Sequence, residues 1–463
     1  MRWARFGGVV LLLCFLALAC GCRRDGSSPM GRRDGAATKS AARGGGASAA
    51  APAGRAVVVW ISVDGLRPDY VDRASTPTLH KLMREGAFSK ELVPTVPSLT
   101  FPSHVSLATG VPVAGHGVPG NSFYHSADDK LYDYPALASL LQAEPIWLTA
   151  KRQGVRTLVH DWPLSQAQAG ETRADYFLPT FDNAPTDAHR LQTLIDTWRN
   201  DAGAEPLRLI MGYVKGTDAT GHTFGPDSRE VEAKLAETDA LLGKFLDDAR
   251  AVFREKMSPA DRLYILVTTD HGMARIRTIV NFKKLLSAPL PQEVRVLTGG
   301  GTAIVHLGKV PPDARAALKA QLLKDLARWD FAKAYEREAL PPEWGMNHPT
   351  RVGEIVVMLK PGHAFNGRSP AATAPADKFP GVNRGAHGYI PAECPEMLGF
   401  LALWQHPEPA GAQDLGSMDA LQIHPMVAKL LGVQPAEGAQ KPAVEIQNPR
   451  REARDKSEIT NWK

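Results

Sequence analysis

Five short stretches of this chain carry residues able to do chemistry. Two are apolar, β-branched runs that stop at a carboxylate: Ser62-Val63-Asp64-Gly65 and Thr269-Asp270-His271-Gly272. In open parallel sheets function collects at the C-terminal ends of strands, and a carboxylate followed by glycine suits a turn that leaves the side chain free. The same pattern also suits an Asp that begins a turn or caps a helix. Asp270 beside His271 is more specific, because carboxylate and imidazole together suit zinc. In Gly216-Thr217-Asp218-Ala219-Thr220-Gly221-His222, Asp218 and His222 stand four apart, on one side of a helical turn or a tight loop. In Arg384-Gly385-Ala386-His387-Gly388-Tyr389, glycines flank His387 and permit close backbone approach, although a loop histidine bonded to backbone has the same appearance. The fifth stretch runs from Pro97 to Gly110. Pro102 just inside an apparent helix start places Thr100 at the N-terminal end, where the dipole and free amides favour an anion. There Thr100 is either an N-cap or a nucleophile whose pKa a metal lowers.

The elements that must position these residues follow from hydropathy. AVVVWISVDG from Ala56 and LYILVTTDHG over 263–272 are continuous apolar runs, the pattern of strands buried on both faces. Further strands are expected at PIWLTAK near 147, VRTLVH near 157 and LRLIMGYV near 210. Helices are expected over Thr78–Glu85, Tyr134–Ala143, Asp187–Asn200 and Ser228–Phe253. Strands alternating with helices predict an α/β fold with a mostly parallel central sheet covered on both faces. Between about 295 and 365 the rhythm changes to strand, helix, strand (GTAIVHLG, PPDARAALKAQLLKDLARW, RVGEIVVMLK), which predicts a small α+β insertion.

The N-terminus reads differently. Arg2 and Arg5 precede an eleven-residue apolar run, Val9 to Ala19, and then Cys20. That is the pattern of a secretory signal, and Ala17-Leu18-Ala19-Cys20 is similar to a bacterial lipobox, with Ala17 where Leu is usual. The expected organisation is a signal peptide over 1–19, a Gly/Ala/Ser/Arg tether over 20–55, a catalytic domain over 56–435 containing the 295–365 insertion, and a polar tail over 436–463. The expected location is outside a bacterial cell, periplasmic or anchored to the membrane through a lipidated Cys20. Simple signal cleavage and an uncleaved membrane anchor are the alternatives, although eleven apolar residues are too few to span comfortably. Three of the four cysteines (Cys14, Cys20, Cys22) crowd this end, so no disulfide framework is expected. Lys plus Arg number 54 and Asp plus Glu 49, and eight basic residues fall within the first 43 positions. The remainder is near neutral and gives no support for a nucleic-acid-binding surface.

Taken together, the five stretches resemble the nucleotide pyrophosphatase/phosphodiesterase (type I phosphodiesterase) branch of the alkaline phosphatase superfamily. The stretches VDGLRPDY, TPTLHKLMREG, TFPSHVSLATG, GHGVPGNSFY, PIWLTAKRQG, DATGHTFGPDS, TTDHGM and AHGYIP stand in that family's order between about Val57 and Trp404. The resemblance implies an alkaline-phosphatase-like core and two zinc ions per chain. It implies that Asp64, Thr100, Asp270 and His271 hold one, and Asp218, His222 and His387 the other. It implies Thr100 as nucleophile and Asn121 as a donor to a non-bridging phosphate oxygen, together with the Thr100 amide. It also implies Phe101 and Tyr213 as contacts to a substrate base. Ser103 stands where the family usually has Asn; a hydroxyl there can still bond backbone at the helix start.

The expected activity is therefore zinc-dependent hydrolysis of a small-molecule phosphodiester or pyrophosphate, nucleotide-type substrates favoured, through a phosphothreonine. The competing readings are an alkaline phosphomonoesterase on the same fold and a zinc-binding surface lipoprotein without activity. A monoesterase needs a further cation, for which Lys151, Arg152 and Arg156 are the first residues to examine. A sulfatase is disfavoured, because Thr-Phe-Pro-Ser-His lacks both its Cys or Ser nucleophile and its Arg.

Overall fold

The computed structural model describes residues 54–440 apart from Ala74. The expected signal peptide, Cys20, nearly all of the tether and the chain beyond 440 lie outside the described residues. The run from Ala56 forms β1 (Ala56–Val63), and every residue from Val57 onward is buried because both faces of the strand are covered. Its odd residues, Val57, Val59, Ile61 and Val63, enter one hydrophobic core. Val58 and Trp60 enter the core on the opposite face. This explains why the strand reads as continuously apolar rather than alternating.

Around β1 lies a nine-stranded sheet. Its principal other strands are β2 (Ala87–Val93), β3 (Arg156–Val159), β4 (Leu207–Val214), β5 (Arg262–Thr268) and β6 (Gly399–His406). β1 pairs in parallel with β4 and with β5, and β3 with β4. β6 runs antiparallel between β5 and β2. Helices α1 (Pro77–Glu85), α4 (Asp187–Asn200) and α6 (Arg229–Lys256) bury their apolar stripes in the first core. Helices α2 (Thr100–Thr109), α3 (Ile146–Arg152) and α8 (Ile423–Leu431) bury theirs in the second. The chain is thus α/β, with a mostly parallel sheet sandwiched by helices. A separate four-stranded antiparallel sheet, Arg295–Gly299, Thr302–His306, Ile355–Leu359 and Ala332–Glu336 in spatial order, carries α7 (Pro312–Leu326) and has its own core.

Two expected elements are corrected. PIWLTAK is helical, with Pro145 at the N-cap and Ile146, Trp147 and Ala150 buried on one side. Packing of that side on the sheet overrides the β-favouring composition. Tyr134–Ala143 is not a helix. Tyr134 sits at φ +41° before Pro135, and only a 3-10 turn, Ala138–Leu140, forms; a residue before proline is driven out of the helical region. At the C-terminal end, the amide of Ala436 donates to His424 Nε2 at 2.9 Å and that of Gln440 to the Gly110 carbonyl at 2.9 Å, so contacts with the fold continue into the expected tail.

Candidate active site

The parallel strands deliver their C-terminal ends to one edge of the sheet. Asp64 follows β1, Asp270 and His271 follow β5, and Asp218 opens α5 (Asp218–Phe224) just after β4, with His222 one turn on. β2 runs in the same sense and leads to α2, whose first residue is Thr100; Leu99 is the N-cap, so Thr100 does not cap the helix. His387 follows the short strand Gly385–Ala386.

These residues form two adjoining groups. In the first, His271 Nε2 lies 3.1 Å from Asp270 Oδ2, 3.7 Å from Asp64 Oδ1 and 3.2 Å from the Thr100 hydroxyl. In the second, His222 Nε2 and His387 Nε2 approach to 3.1 Å, and Asp218 Oδ1 lies 3.4 and 3.6 Å from them. The His271 and His387 rings stack at 3.6 Å, so the groups share a wall.

The donor chemistry fits divalent cations. Each imidazole has its Nδ1 against a backbone carbonyl: His222 on Gly385 at 2.8 Å, His271 on Gly272 at 2.9 Å, His387 on Ser98 at 3.1 Å. An Nδ1–H that donates there leaves Nε2 as the lone pair, the arrangement that orients metal-ligating histidines. Asp64 Oδ1, Asp270 Oδ2 and Asp218 Oδ1 are buried without a hydrogen bond. Orphaned buried carboxylate oxygens are costly unless a cation meets them. Burial, with Asp270 and Asp218 nearby, holds the Asp64 carboxyl well above the usual range, and burial raises Asp270. Burial pushes His271 down to about 4 and His387 well below its ordinary value. Asp64, Asp270 and His271 converge closely enough to hold one ion, and so do Asp218, His271 and His387.

Two supports were not evident from the sequence. His104, one turn after Thr100, is buried with Nδ1 donating to the Thr100 carbonyl at 2.8 Å, 3.3 Å from Asp270 Oδ2, while its Nε2 accepts from Ser62 Oγ at 2.8 Å. The Tyr213 hydroxyl donates to Asp64 Oδ2 at 2.7 Å. Tyr213 thus orients a carboxylate of the first group while its ring faces the cavity. Ser103, expected to bond backbone, has a buried hydroxyl without a partner among the described residues.

Above the two groups opens a cavity of about 660 Å³, whose lining includes Thr100, Phe101, Asn121, Tyr134, Asp161, Phe181, Tyr213 and Lys215. Asn121 Oδ1 accepts the Phe101 amide at 2.9 Å, which leaves the side-chain NH2 as the free donor. The Asn121 loop is fixed from the other side: Tyr134 N–H donates to the Asn121 carbonyl at 3.0 Å, and buried Arg351 donates to the Gly117 and Leu140 carbonyls at 2.8 and 2.7 Å. Phe101 meets Tyr134 edge-on, and Phe181 meets Tyr213. Tyr134, Phe181, Asp161 and Lys215 lie in irregular segments or at strand ends; Lys215, directly after β4, and Asp161, two residues past β3, carried a positional signal, and Tyr134 and Phe181 carried none. Lys151, Arg152 and Arg156 do not line the cavity. They pair with Asp175 at 2.6 Å, Glu144 at 2.9 Å and Asp201 at 2.7 Å. A larger open recess of about 890 Å³ beside Lys283–Leu297 holds none of the clustered ligands.

Known proteins share this sequence pattern and this fold. The sequence profile of the type I phosphodiesterase / nucleotide pyrophosphatase family matches residues 58–390. Human ectonucleotide pyrophosphatase/phosphodiesterase family member 7 is 24% identical over 390 residues, 81% of this chain and 80% of that protein. An uncharacterized pyrophosphatase/phosphodiesterase of Schizosaccharomyces pombe is 30% identical over 229 residues, 48% of this chain and 45% of that protein, so the matched segment spans less than half of that relative's length. The bis(5'-adenosyl)-triphosphatase of Xenopus laevis is 25% identical over 82% of this chain and 79% of its own length. Among solved structures, an inactive variant of murine ectonucleotide pyrophosphatase / phosphodiesterase 5 in complex with AMP superposes with a TM-score of 0.70 at 21% identity, covering 84% of this chain and 97% of that one.

Proposed function

The chain belongs to the type I phosphodiesterase / nucleotide pyrophosphatase family, and from that premise we propose that it is a two-zinc hydrolase of small-molecule phosphodiesters or pyrophosphates, nucleotides foremost, acting through Thr100. The observation that carries this reading is the convergence, at the head of one helix, of a threonine hydroxyl with two groups of carboxylate and imidazole donors. The relatives' names, a nucleotide pyrophosphatase and a dinucleoside triphosphatase, support a nucleotide substrate, as does the AMP bound to the murine protein.

Asp64, Asp270 and His271 with Thr100 would hold one zinc, and Asp218, His222 and His387 the other. When bound, such a pair acts as a Lewis acid toward phosphoryl oxygens and lowers the pKa of a coordinated hydroxyl. The protein's own groups do the rest. Thr100 Oγ attacks phosphorus in line with the leaving oxygen, and water then cleaves the phosphothreonine and restores the hydroxyl. The Asn121 NH2 and the Thr100 amide donate to a non-bridging oxygen, and the helix N-terminus favours its charge.

A diester carries one negative charge on its phosphate and a monoester two at alkaline pH. Commitment of Lys151, Arg152 and Arg156 to carboxylates elsewhere supports diester preference. With zinc supplied, a nitrophenyl phosphodiester should be cleaved with higher kcat/KM than the monoester after correction for intrinsic reactivity, and chelation should abolish turnover. Asn121→Ala should slow the diester reaction by about ten- to a thousandfold. Monoester preference with an Asn121→Ala effect below threefold would overturn the diester reading.

The signal-like Val9–Ala19 run and Ala17-Leu18-Ala19-Cys20 support export from a bacterial cell with Cys20 lipidated. Mass spectrometry of the mature N-terminus decides between acylation at Cys20 and cleavage further along.

A further inference from the structure

Lys215 occupies an unusual electrostatic position in the cavity. It directly follows β4, and its ammonium donates to the Asn183 carbonyl at 2.9 Å, with Asn183 Oδ1 at 3.5 Å. No carboxylate lies within ion-pair distance of it among the described residues. Asp187, which accepts the Lys215 backbone amide, has its other oxygen 3.5 Å from Lys234. An ammonium has three donors, so at least one remains for a ligand.

The rest of that end of the cavity does not supply the missing negative charge. Asp161 is the lining carboxylate outside the two ligand groups, but it pairs with the buried Arg190 at 2.6 Å. The same guanidinium lies over the Phe181 ring, 4.8 Å from its centroid. One cation therefore already uses that ring and neutralises that carboxylate. Away from the metal-binding residues, the wall carries Phe101, Tyr134 and Phe181 with neutral polar side chains such as Gln166 and Asn183, and the Lys215 charge has no carboxylate partner among the described residues.

We infer that Lys215 is a specificity-determining residue: it favours an ester whose remote group is flat and rich in acceptor atoms, such as a nucleobase, and excludes one that ends in a quaternary ammonium. This rests on the reading of the cavity as a phosphodiester site. A quaternary ammonium is recognised by aromatic faces, and like charge at the same wall opposes it. It also has no acceptor for the Lys215 donors. A nucleobase offers a π face to Phe101 and carbonyl or ring-nitrogen acceptors to the ammonium.

The test is calorimetric titration of the zinc-supplied protein with thymidine 5'-monophosphate and with phosphocholine, which share the phosphate and differ in the remote group. The nucleotide should bind about tenfold or more tightly. Lys215→Glu should shrink that ratio about tenfold, and Lys215→Arg should retain it. Equal affinity in the unaltered protein, or the same ratio in Lys215→Glu, overturns the assignment. Hydrolysis of methyl p-nitrophenyl phosphate, whose remote group is small and neutral, is followed in parallel. Selective nucleotide binding without that hydrolysis would refute the proposed reaction and leave the Lys215 assignment standing. Hydrolysis with a ratio of one would do the reverse.

Discussion

Thr100 shows how much a single hydroxyl depends on its surroundings. An isolated threonine is a poor nucleophile, and only its place distinguishes this one: the first residue of α2, 3.2 Å from His271 Nε2. Three carboxylates and three imidazoles surround the site independently of it, so removing the hydroxyl should not empty the metal groups. Thr100→Ala is therefore expected to lower phosphodiester turnover by at least about a thousandfold while bound zinc stays near two per chain. Metal analysis alongside rate measurement checks this, and activity within tenfold of the unaltered protein would remove Thr100 from the nucleophile role. Tyr213 carries a different lesson. The family resemblance implies it as a substrate contact, and its hydroxyl donates to Asp64.

At the scale of elements, the site depends on turns that follow strands and come very close together. Gly65, after Asp64, has φ +68°, and a Cβ there would lie 2.9 Å from Asp218 Cα and 3.0 Å from Asp218 Cβ. Two turns that carry ligands of different groups thus touch at a residue with no side chain. Gly65→Ala would meet both the left-handed backbone cost, about 1 kcal/mol, and a steric conflict with Asp218 backbone. The expected result is zinc affinity weakened about tenfold or more at the Asp218, His222 and His387 group, with a native far-UV spectrum. Unchanged affinity for both ions in a chelator competition would show that the turns can separate without consequence.

For the whole molecule, buried neutral histidines tie stability to pH. Burial pushes His116 down to about 3 and His160, His306 and His348 to about 4. In the unfolded chain each titrates near 6.5. A lowered folded pKa means that the unfolded state binds the proton more readily, so stability is complete above about pH 6.5 and falls as pH drops toward 4. His116 and His348 add a geometric reason, because each Nδ1 accepts backbone amides, from Val118 in one case and from Thr350 and Arg351 in the other. Protonation would set two donors against each other. Each such histidine should cost about 1–2 kcal/mol by pH 5. Urea unfolding at pH 7.5 and 5.0 should show a clear drop in midpoint, and equal midpoints would show that these imidazoles accept protons without unfolding.

The amino-acid sequence alone marked most of the central-sheet strands and most of the residues that converge at their ends. A continuous β-branched run such as Val57–Val63 can bury both faces only inside a covered sheet, and strand ends in such sheets collect functional groups. Asp64, Asp270, His271, Asp218 and His222 were legible because each sits in a short local pattern beside such an element. Patterns of that range could not supply what depends on distant burial. The 146–152 segment is helical because its apolar side packs on a sheet formed elsewhere. The direction of the His222 and His387 Nε2 atoms is set by carbonyls of Gly385 and Ser98 from far along the chain, whereas that of His271 is set inside its own motif by Gly272. The cavity wall, with Tyr134, Phe181 and Lys215, comes from irregular or strand-end segments that carry no periodicity. Tertiary structure alone decided those features, because contact between residues tens to hundreds of positions apart is fixed by how the layers close and not by the spacing of neighbours.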